Sequence, residues 1–234
     1  FLCGGAWLAM DKDLWIPELV TFTRRGFAVA CAEYRTSGVA RFPAQIEDVK
    51  SAIRYLRAHA AGWSLDPARF AIMGESAGGH LAVLAGATGE TREFDTGDWL
   101  EQDSGVQAVV DYYGPMDFSQ MGKSSADSDH DAPDSPESRL IGGPIQKNPM
   151  PVQRANPITY LTREAPPTLI LHGSVDRTVP CHQSQLLFDA LQALGVPVEY
   201  YRLVGEGHAT DAFIQPAVMD MVAEFLIHYL ARQG

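Results

Sequence analysis

Cysteine is scarce in this chain, and its spacing excludes the small domains that depend on it. Only three cysteines, Cys3, Cys31 and Cys181, occur among 234 residues. Their number is odd, they are far apart and none forms a C-x-x-C pair, so neither a disulfide framework nor a zinc or dithiol redox site is predicted. This usage fits a reducing compartment, although a single disulfide bridge stays open.

Positive charge is also in short supply. The chain carries 18 Lys and Arg residues against 29 Asp and Glu residues, which gives a net charge of −11. Nucleic acids and anionic membrane surfaces are themselves densely negative, so charge-driven binding to either is disfavoured. We therefore expect no nucleic-acid partner and no membrane partner.

Long apolar runs are missing as well. No segment reaches the roughly 18 consecutive apolar residues of a membrane-spanning helix. No basic segment followed by an apolar one marks a secretory leader, and the sequence opens on Phe1 rather than Met. We expect a cytoplasmic protein, with secretion left open because the N-terminus looks incomplete.

The chain is rich instead in an alternation of two patterns. With 46% hydrophobic and 20% charged residues, it predicts a single globular domain spanning residues 1–234. Short apolar segments typical of buried strands alternate with helical patterns, which predicts a mostly parallel sheet with helices on both faces. The predicted strands are 27–33, 70–73, 106–112, 168–171 and 198–204, with Phe1 and Leu2 as the end of another.

Residues 114–166 interrupt this alternation. They are rich in Gly-Pro and Asn-Pro pairs and contain an acidic, serine-rich stretch. A long irregular insertion in a compact domain is usually functional, so we predict a lid or a pocket-forming segment. Its DSDHD run, residues 127–131, lacks the glycine and the distal glutamate of a calcium loop, so a solvated loop and no metal site are predicted.

The segment 74–80, GESAGGH, carries the clearest chemical signal. It fits G-x-S-x-G and lies between a predicted strand and a helical pattern, which is the setting of a nucleophile elbow. Gly74 and Gly78 would leave room for a tight turn that exposes the Ser76 hydroxyl. The alternative interpretation is a glycine-rich start of a helix with an incidental serine.

A serine hydroxyl needs a base and an orienting acid. Of seven histidines, His208 is the predicted base, because it follows the strand 198–204 in a glycine-rich loop. Asp176, after the strand 168–171, is the predicted acid, and this gives the chain order serine, acid, histidine. His172 stays a weaker candidate for the base, and Glu206 and Asp211 stay rivals for the acid.

The oxyanion of an acyl-transfer intermediate needs backbone N–H donors. The residue after the nucleophile, Ala77, should supply one, and the early glycine-rich loop of residues 3–7, CGGAW, should supply the others. Four further side chains are candidates for the substrate pocket, namely Trp7, Tyr34, Tyr113 and Met116.

Four segments together carry a family resemblance: GESAGGHLA, CAEYRTSGVARFPAQIEDVKSAIRYLR, HGSVDRTVP and GEGHAT. The chain resembles the α/β-hydrolase superfamily, and most of all the microbial carboxylesterases grouped with hormone-sensitive-lipase-like and feruloyl or acetyl-xylan esterases. The resemblance implies an eight-stranded, mostly parallel twisted sheet and hydrolysis of short-acyl or aromatic-acyl esters through an acyl-enzyme, without a cofactor. It implies a triad of Ser76, Asp176 and His208, and oxyanion donors at Gly5, Ala6 and Ala77.

The chain departs from that family in two places. Cys3 stands where the family has a histidine that braces the oxyanion loop, and Ala6 replaces its third glycine. The first two strands of the family have no counterpart, and uncovered strand edges would favour a homo-oligomer.

Other functions remain open from the sequence. One is aryl formamidase or another amide-cleaving serine hydrolase. Another is a non-catalytic ligand-binding member of the fold. A small-molecule ester is the substrate partner that the resemblance favours.

Overall fold

The structure, a computed structural model, describes residues 1–123 and 129–231. Within them, four parallel strands form one sheet in chain order. Each strand falls on a segment that the sequence predicts as a strand, which confirms the mostly parallel sheet. The strands are β1 (Ala71–Glu75), β2 (Ala108–Tyr112), β3 (Thr168–Gly173) and β4 (Val198–Leu203).

The strand predicted at 27–33 is wrong as an extended element. Only one of its residues, Ala32, pairs, in a parallel bridge with Leu2, and Leu2 bridges Gly74 of β1 in the same way. Two isolated bridges thus extend the sheet beyond β1. The part of the chain that the structure describes contains four full strands, whereas the resemblance implies eight.

Helices cover the sheet on both faces. Side chains of α2, α3 and α6 lie in one buried apolar cluster, and side chains of α1 and α7 lie in the other. No helix in residues 1–123 and 129–231 is both long enough and apolar enough to cross a bilayer. The α-helices are α1 (Ile16–Thr23), α2 (Ala44–Ala58), α3 (Ala77–Ala87), α4 (Pro136–Ile141), α5 (Pro149–Ala155), α6 (His182–Leu194) and α7 (Pro216–Leu230).

The strands divide their side chains between these two clusters because successive residues of a strand point to opposite faces. Ile72 and Val109 enter the cluster of α2, α3 and α6, whereas Met73 and Val110 enter the cluster of α1 and α7. Helix α3 is apolar around its whole circumference, and Ala77 through Gly86 are all buried. Such a helix must be covered by other elements on every side. This packing fixes the position of Ser76, the residue immediately before the helix.

The insertion 114–166 lies between β2 and β3 and holds α4, α5 and three short 3-10 helices. It packs on α3, where the imidazole of His80 contacts the carbonyl of Ala155 at 2.8 Å. Of the predicted solvated loop 127–131, residues 127 and 128 lie outside the described residues. Asp129 and Asp131 are exposed as expected, but His130 is buried. The prediction of a solvated loop is therefore wrong for the His130 side chain, because it contacts Glu137 and the carbonyl of Thr178.

Asp111 of β2 is a fully buried carboxyl under the first turn of α3. Its Oδ1 accepts the N–H of Gly114 at 2.9 Å, and a Cβ at Gly79 would lie only 2.4 Å from the same oxygen. Burial raises the pKa of Asp111 to about 7, against the opposing effect of the Gly114 N–H. The folded protein therefore keeps this carboxyl protonated in a pH range where the unfolded chain ionises it.

Replacing Asp111 by Asn should remove one pH dependence of folding stability. In the unfolded chain this group loses its proton near pH 4, but in the folded chain it does so at about pH 7. Between those values the folded state binds more protons, so its stabilising contribution falls as pH rises. The melting temperature of the wild type should therefore decline relative to Asp111→Asn from about pH 4 to 7. A constant difference over that range would contradict the assignment.

Gly78, at the start of α3, is in close contact with the backbone at the N-terminus. A Cβ there would lie 2.1 Å from the carbonyl oxygen of Leu2, which cannot give way as a side chain can. We expect Gly78→Ala to lower the free energy of unfolding by about 1–3 kcal/mol, the usual cost of overpacking. Chemical denaturation measures this change. The matched control is Gly62→Ala, where a Cβ meets nothing within 4 Å. If both variants unfold at the same denaturant concentration, the packing argument fails.

Candidate active site

Ser76 lies in a strained turn between β1 and α3. Its backbone has φ 54° and ψ −120°, a conformation that non-glycine residues rarely adopt. Its N–H donates to the carbonyl of Tyr112 at 2.8 Å, and a Cβ at Gly74 would lie 2.3 Å from the carbonyl oxygen of Gly78. Steric crowding therefore explains why the motif has glycine at this position. The Ser76 side chain is half-buried at the carboxyl edge of the sheet.

The structure brings together the three residues that the sequence proposes as a triad. His208 Nε2 lies 3.0 Å from Ser76 Oγ, and His208 Nδ1 lies 2.7 Å from Asp176 Oδ2. The carboxylate can only accept, so Nδ1 carries the proton and Nε2 is left to accept from the serine hydroxyl. The geometry is that of a nucleophile, a base and an orienting acid.

Asp176 is held as an anion by several donors. Its other oxygen, Oδ1, accepts the N–H groups of Thr178 at 2.8 Å and Val179 at 2.9 Å. Burial works to raise the pKa of Asp176, but hydrogen bonds from His172 and His208 outweigh it and hold the pKa well below its usual value. The acid therefore stays ionised at neutral pH.

His172, the weaker candidate for the base, is not brought to the serine. It is fully buried, and its Nε2 lies 3.2 Å from Asp176 Oδ2 and 2.8 Å from the carbonyl of Val179. It therefore supports the acid loop, which is the segment 174–181 between β3 and α6 that carries Asp176. The rival acid Glu206 accepts from the Thr210 hydroxyl at 2.7 Å instead.

The predicted oxyanion loop has an unusual backbone. Gly5, Ala6 and Trp7 have φ values of 109°, 55° and 57°, so three successive residues are left-handed. Ala6 and Ala77 border the same cleft as Ser76, whereas Gly5 is exposed and does not. Ala77 is the first residue of α3, so its N–H has no acceptor within the helix.

Two buried groups brace this loop. The Gly4 N–H donates to the carboxylate of Glu75, and the Tyr34 hydroxyl donates to the carbonyl of Cys3 at 2.7 Å. Burial raises the pKa of Glu75, opposed by the Gly4 N–H and by His208. The loop is thus anchored although Cys3 replaces the family's histidine.

The cleft beside Ser76 has fewer of the predicted pocket residues than expected. Trp7 borders it, but Tyr34, Tyr113 and Met116 do not. Tyr34 binds the Cys3 carbonyl, and the ring of Tyr113 packs edge-on against the His208 ring with centroids 4.7 Å apart. Met116 is buried in the core. A large apolar or aromatic residue gives the same sequence pattern whether its side chain packs in a core or lines a pocket. Only the tertiary packing distinguishes the two cases.

Two buried ionisable residues of the cleft are not singled out by the sequence. His130 and Glu137, both from the insertion, border the cleft together with Pro115, Thr178 and Val179. The insertion had been marked as pocket-forming, but nothing in its sequence singles out these two side chains. Their placement depends on how α4 packs against the acid loop.

Known proteins with similar sequences and structures include several esterases. A carbohydrate esterase from gut microbiota, solved in a truncated form, shares 31% identity and a TM-score of 0.89 over 99% of this chain and 85% of its own. Esterase 2 of Thermogutta terrifontis, solved with butyrate, shares 25% identity and a TM-score of 0.80 over 100% of this chain and 84% of its own. These likenesses confirm the predicted α/β-hydrolase fold.

Curated relatives are similar in the same way. Esterase LipC of Mycobacterium tuberculosis is 32% identical over 90% of this chain, and the probable carboxylic ester hydrolase LipM of the same organism is 34% identical over 89%. The chain spans about half the length of these relatives, 52% and 48% respectively.

The family itself is shown by a sequence profile. The profile of the BD-FAE family matches residues 1–191, which is most of the chain and includes β1 to β3, Ser76 and Asp176. Because the profile covers most of the chain and the solved relatives have the same fold, this protein belongs to the BD-FAE family of α/β-hydrolases.

Proposed function

We propose that this protein is a serine carboxylesterase that hydrolyses short-acyl or aromatic-acyl esters. The observation that carries the proposal is the unbroken chain of contacts from Ser76 Oγ through the His208 ring to Asp176 Oδ2, at 3.0 and 2.7 Å. All three groups are required for an activated serine. The esterase names of the relatives support the same reaction class.

The first half of the reaction forms an acyl-enzyme. Ser76 Oγ attacks the ester carbonyl carbon as its proton passes to His208 Nε2. The anionic carboxylate of Asp176 stabilises the imidazolium that results. The bond to the leaving alcohol then breaks, and His208 returns the proton to the alcohol oxygen.

The second half regenerates the serine. A water molecule gives a proton to His208 Nε2 and attacks the acyl carbon, and the carboxylic acid leaves as Ser76 Oγ takes the proton back. Negative charge develops on the carbonyl oxygen in both halves. Ala6 and Ala77 border the cleft where this oxygen would lie, and their backbone N–H groups are proposed as its donors. A well-placed donor is worth roughly 3–4 kcal/mol in the barrier.

The insertion 114–166 is proposed as the roof of the substrate pocket. Pro115 and Glu137 from it border the cleft beside Ser76. Trp7 borders the same cleft, and its ring packs edge-on against His80 and Phe118 at centroid distances of 5.1 and 5.3 Å. The cleft is small, which favours small acyl groups or a flat ring over long acyl chains.

Replacing Ser76 by Ala tests the proposal. The variant should lose p-nitrophenyl acetate hydrolysis by about 10⁴-fold or more in kcat, as expected when a triad nucleophile is removed, while its melting temperature stays close to that of the wild type. A fluorophosphonate probe should label the wild type and not the variant. Ser51→Ala on α2 is the control and should keep full activity.

Three results would contradict the proposal. If Ser76→Ala retained substantial turnover, the assigned nucleophile would be wrong. An unlabelled wild type without turnover would favour a non-catalytic ligand-binding protein. Much faster cleavage of N-formylkynurenine than of p-nitrophenyl acetate would favour an aryl formamidase.

A further inference from the structure

The cleft wall formed by the insertion carries a buried ion pair. His130 and Glu137 are 5% and 2% exposed, and His130 Nδ1 lies 3.0 Å from Glu137 Oε1. His130 Nε2 donates to the carbonyl of Thr178 at 2.9 Å, which ties the pair to the acid loop. Burial lowers the pKa of His130, but the hydrogen bond and charge of Glu137 more than offset it, so the pKa is raised.

The ion pair leaves one oxygen unused. Glu137 Oε2 is buried and has no hydrogen-bond partner among the described residues. The indole Nε1 of Trp7, which borders the same cleft, is also buried without a partner there. Buried polar atoms are nearly always hydrogen-bonded, and an unpaired one next to a cleft needs an explanation. Here one atom is an acceptor and the other a donor.

A structural role explains only part of this arrangement. Glu137 Oε1 and both nitrogens of His130 are satisfied by contacts that hold α4 against the acid loop. The proposed reaction needs neither residue, because the triad atoms are already in contact. What remains unexplained is Oε2 of Glu137 together with the N–H of Trp7.

A hydroxyl group matches this pair of atoms. Its O–H can donate to a carboxylate oxygen while its oxygen accepts from an indole N–H. A substrate ammonium group is a poorer match for these two atoms, because the indole N–H of Trp7 would face a second donor. An apolar substituent would leave both atoms buried and unpaired, which is unfavourable.

We propose that Glu137 and Trp7 form a subsite for a hydroxyl group of the ester substrate, with His130 as the positioning residue that fixes the carboxylate. This inference rests on the proposed esterase function and narrows its substrates to hydroxylated esters. The hydroxyl belongs to the alcohol part or to the acyl part of the ester. Specificity of this kind arises because a site built to bind a hydroxyl discriminates against analogues that lack it.

Two pairs of esters that differ only by a hydroxyl in place of a methyl group test the subsite. For the alcohol part they are 2-hydroxyethyl acetate and propyl acetate, and for the acyl part methyl glycolate and methyl propionate. The measured quantity is the kcat/KM ratio within each pair, for the wild type and for Glu137→Gln. Comparing the ratio between proteins cancels the intrinsic reactivity of each ester.

We expect Glu137→Gln to reduce the preference for the hydroxylated ester by about 10-fold or more in one of the two pairs. The reason is that the amide presents a donor where the carboxylate presents an acceptor. Hydrogen bonds to charged groups have this size of effect. The pair that responds identifies the part of the ester that carries the hydroxyl. Glu224→Gln, an exposed change on α7, is the matched control and should keep the wild-type ratios.

Trp7→Phe provides a second variant, since it removes the indole N–H and keeps an aromatic ring. It should reduce the same ratio, and it decides the question if Glu137→Gln fails to fold. Unchanged ratios for both ester pairs, in variants that still hydrolyse them, would overturn the subsite and leave the esterase proposal intact. If the wild type hydrolysed neither these esters nor p-nitrophenyl acetate, the esterase proposal would fail and the subsite with it.

Discussion

The buried carboxylate of Asp176 is the group on which the geometry of the site depends. It accepts from the N–H groups of Thr178 and Val179 and from the rings of His172 and His208. An anion away from water is stable only with such donors, and here the donors come from its own loop, from β3 and from the loop after β4. The same contacts that stabilise the charge therefore fix the tautomer and position of His208.

The other half of the site depends on tight backbone packing at the start of α3. Ser76 keeps a strained conformation because the backbone around its turn is tightly packed. A Cβ at Gly74 would clash with the carbonyl oxygen of Gly78, and a Cβ at Gly78 would clash with that of Leu2. Glu75, next to the serine, extends this arrangement to the oxyanion loop through the Gly4 N–H. Nucleophile and oxyanion donors are thus positioned by one continuous set of contacts that begins in the sheet.

The insertion has two physical roles that share the same residues. Its short helices complete the cover of α3, and His80 joins the two elements by contacting the Ala155 carbonyl. The insertion also brings a pair of side chains, His130 and Glu137, to the cleft at the cost of desolvating both. The pair holds α4 against the acid loop, and in the proposed subsite it also presents a carboxylate oxygen to the substrate.

The sequence by itself determined the four full strands, the elbow and the order of serine, acid and histidine, because these follow from local patterns: short apolar runs, glycines around Ser76, and polar residues where strands end. Tertiary structure decided the rest. The segment 27–33 pairs only at Ala32, through a single bridge to Leu2. Tyr34 and Met116 pack inside because burial depends on distant neighbours. Glu137 reaches the cleft by the packing of α4, and no local pattern encodes that contact.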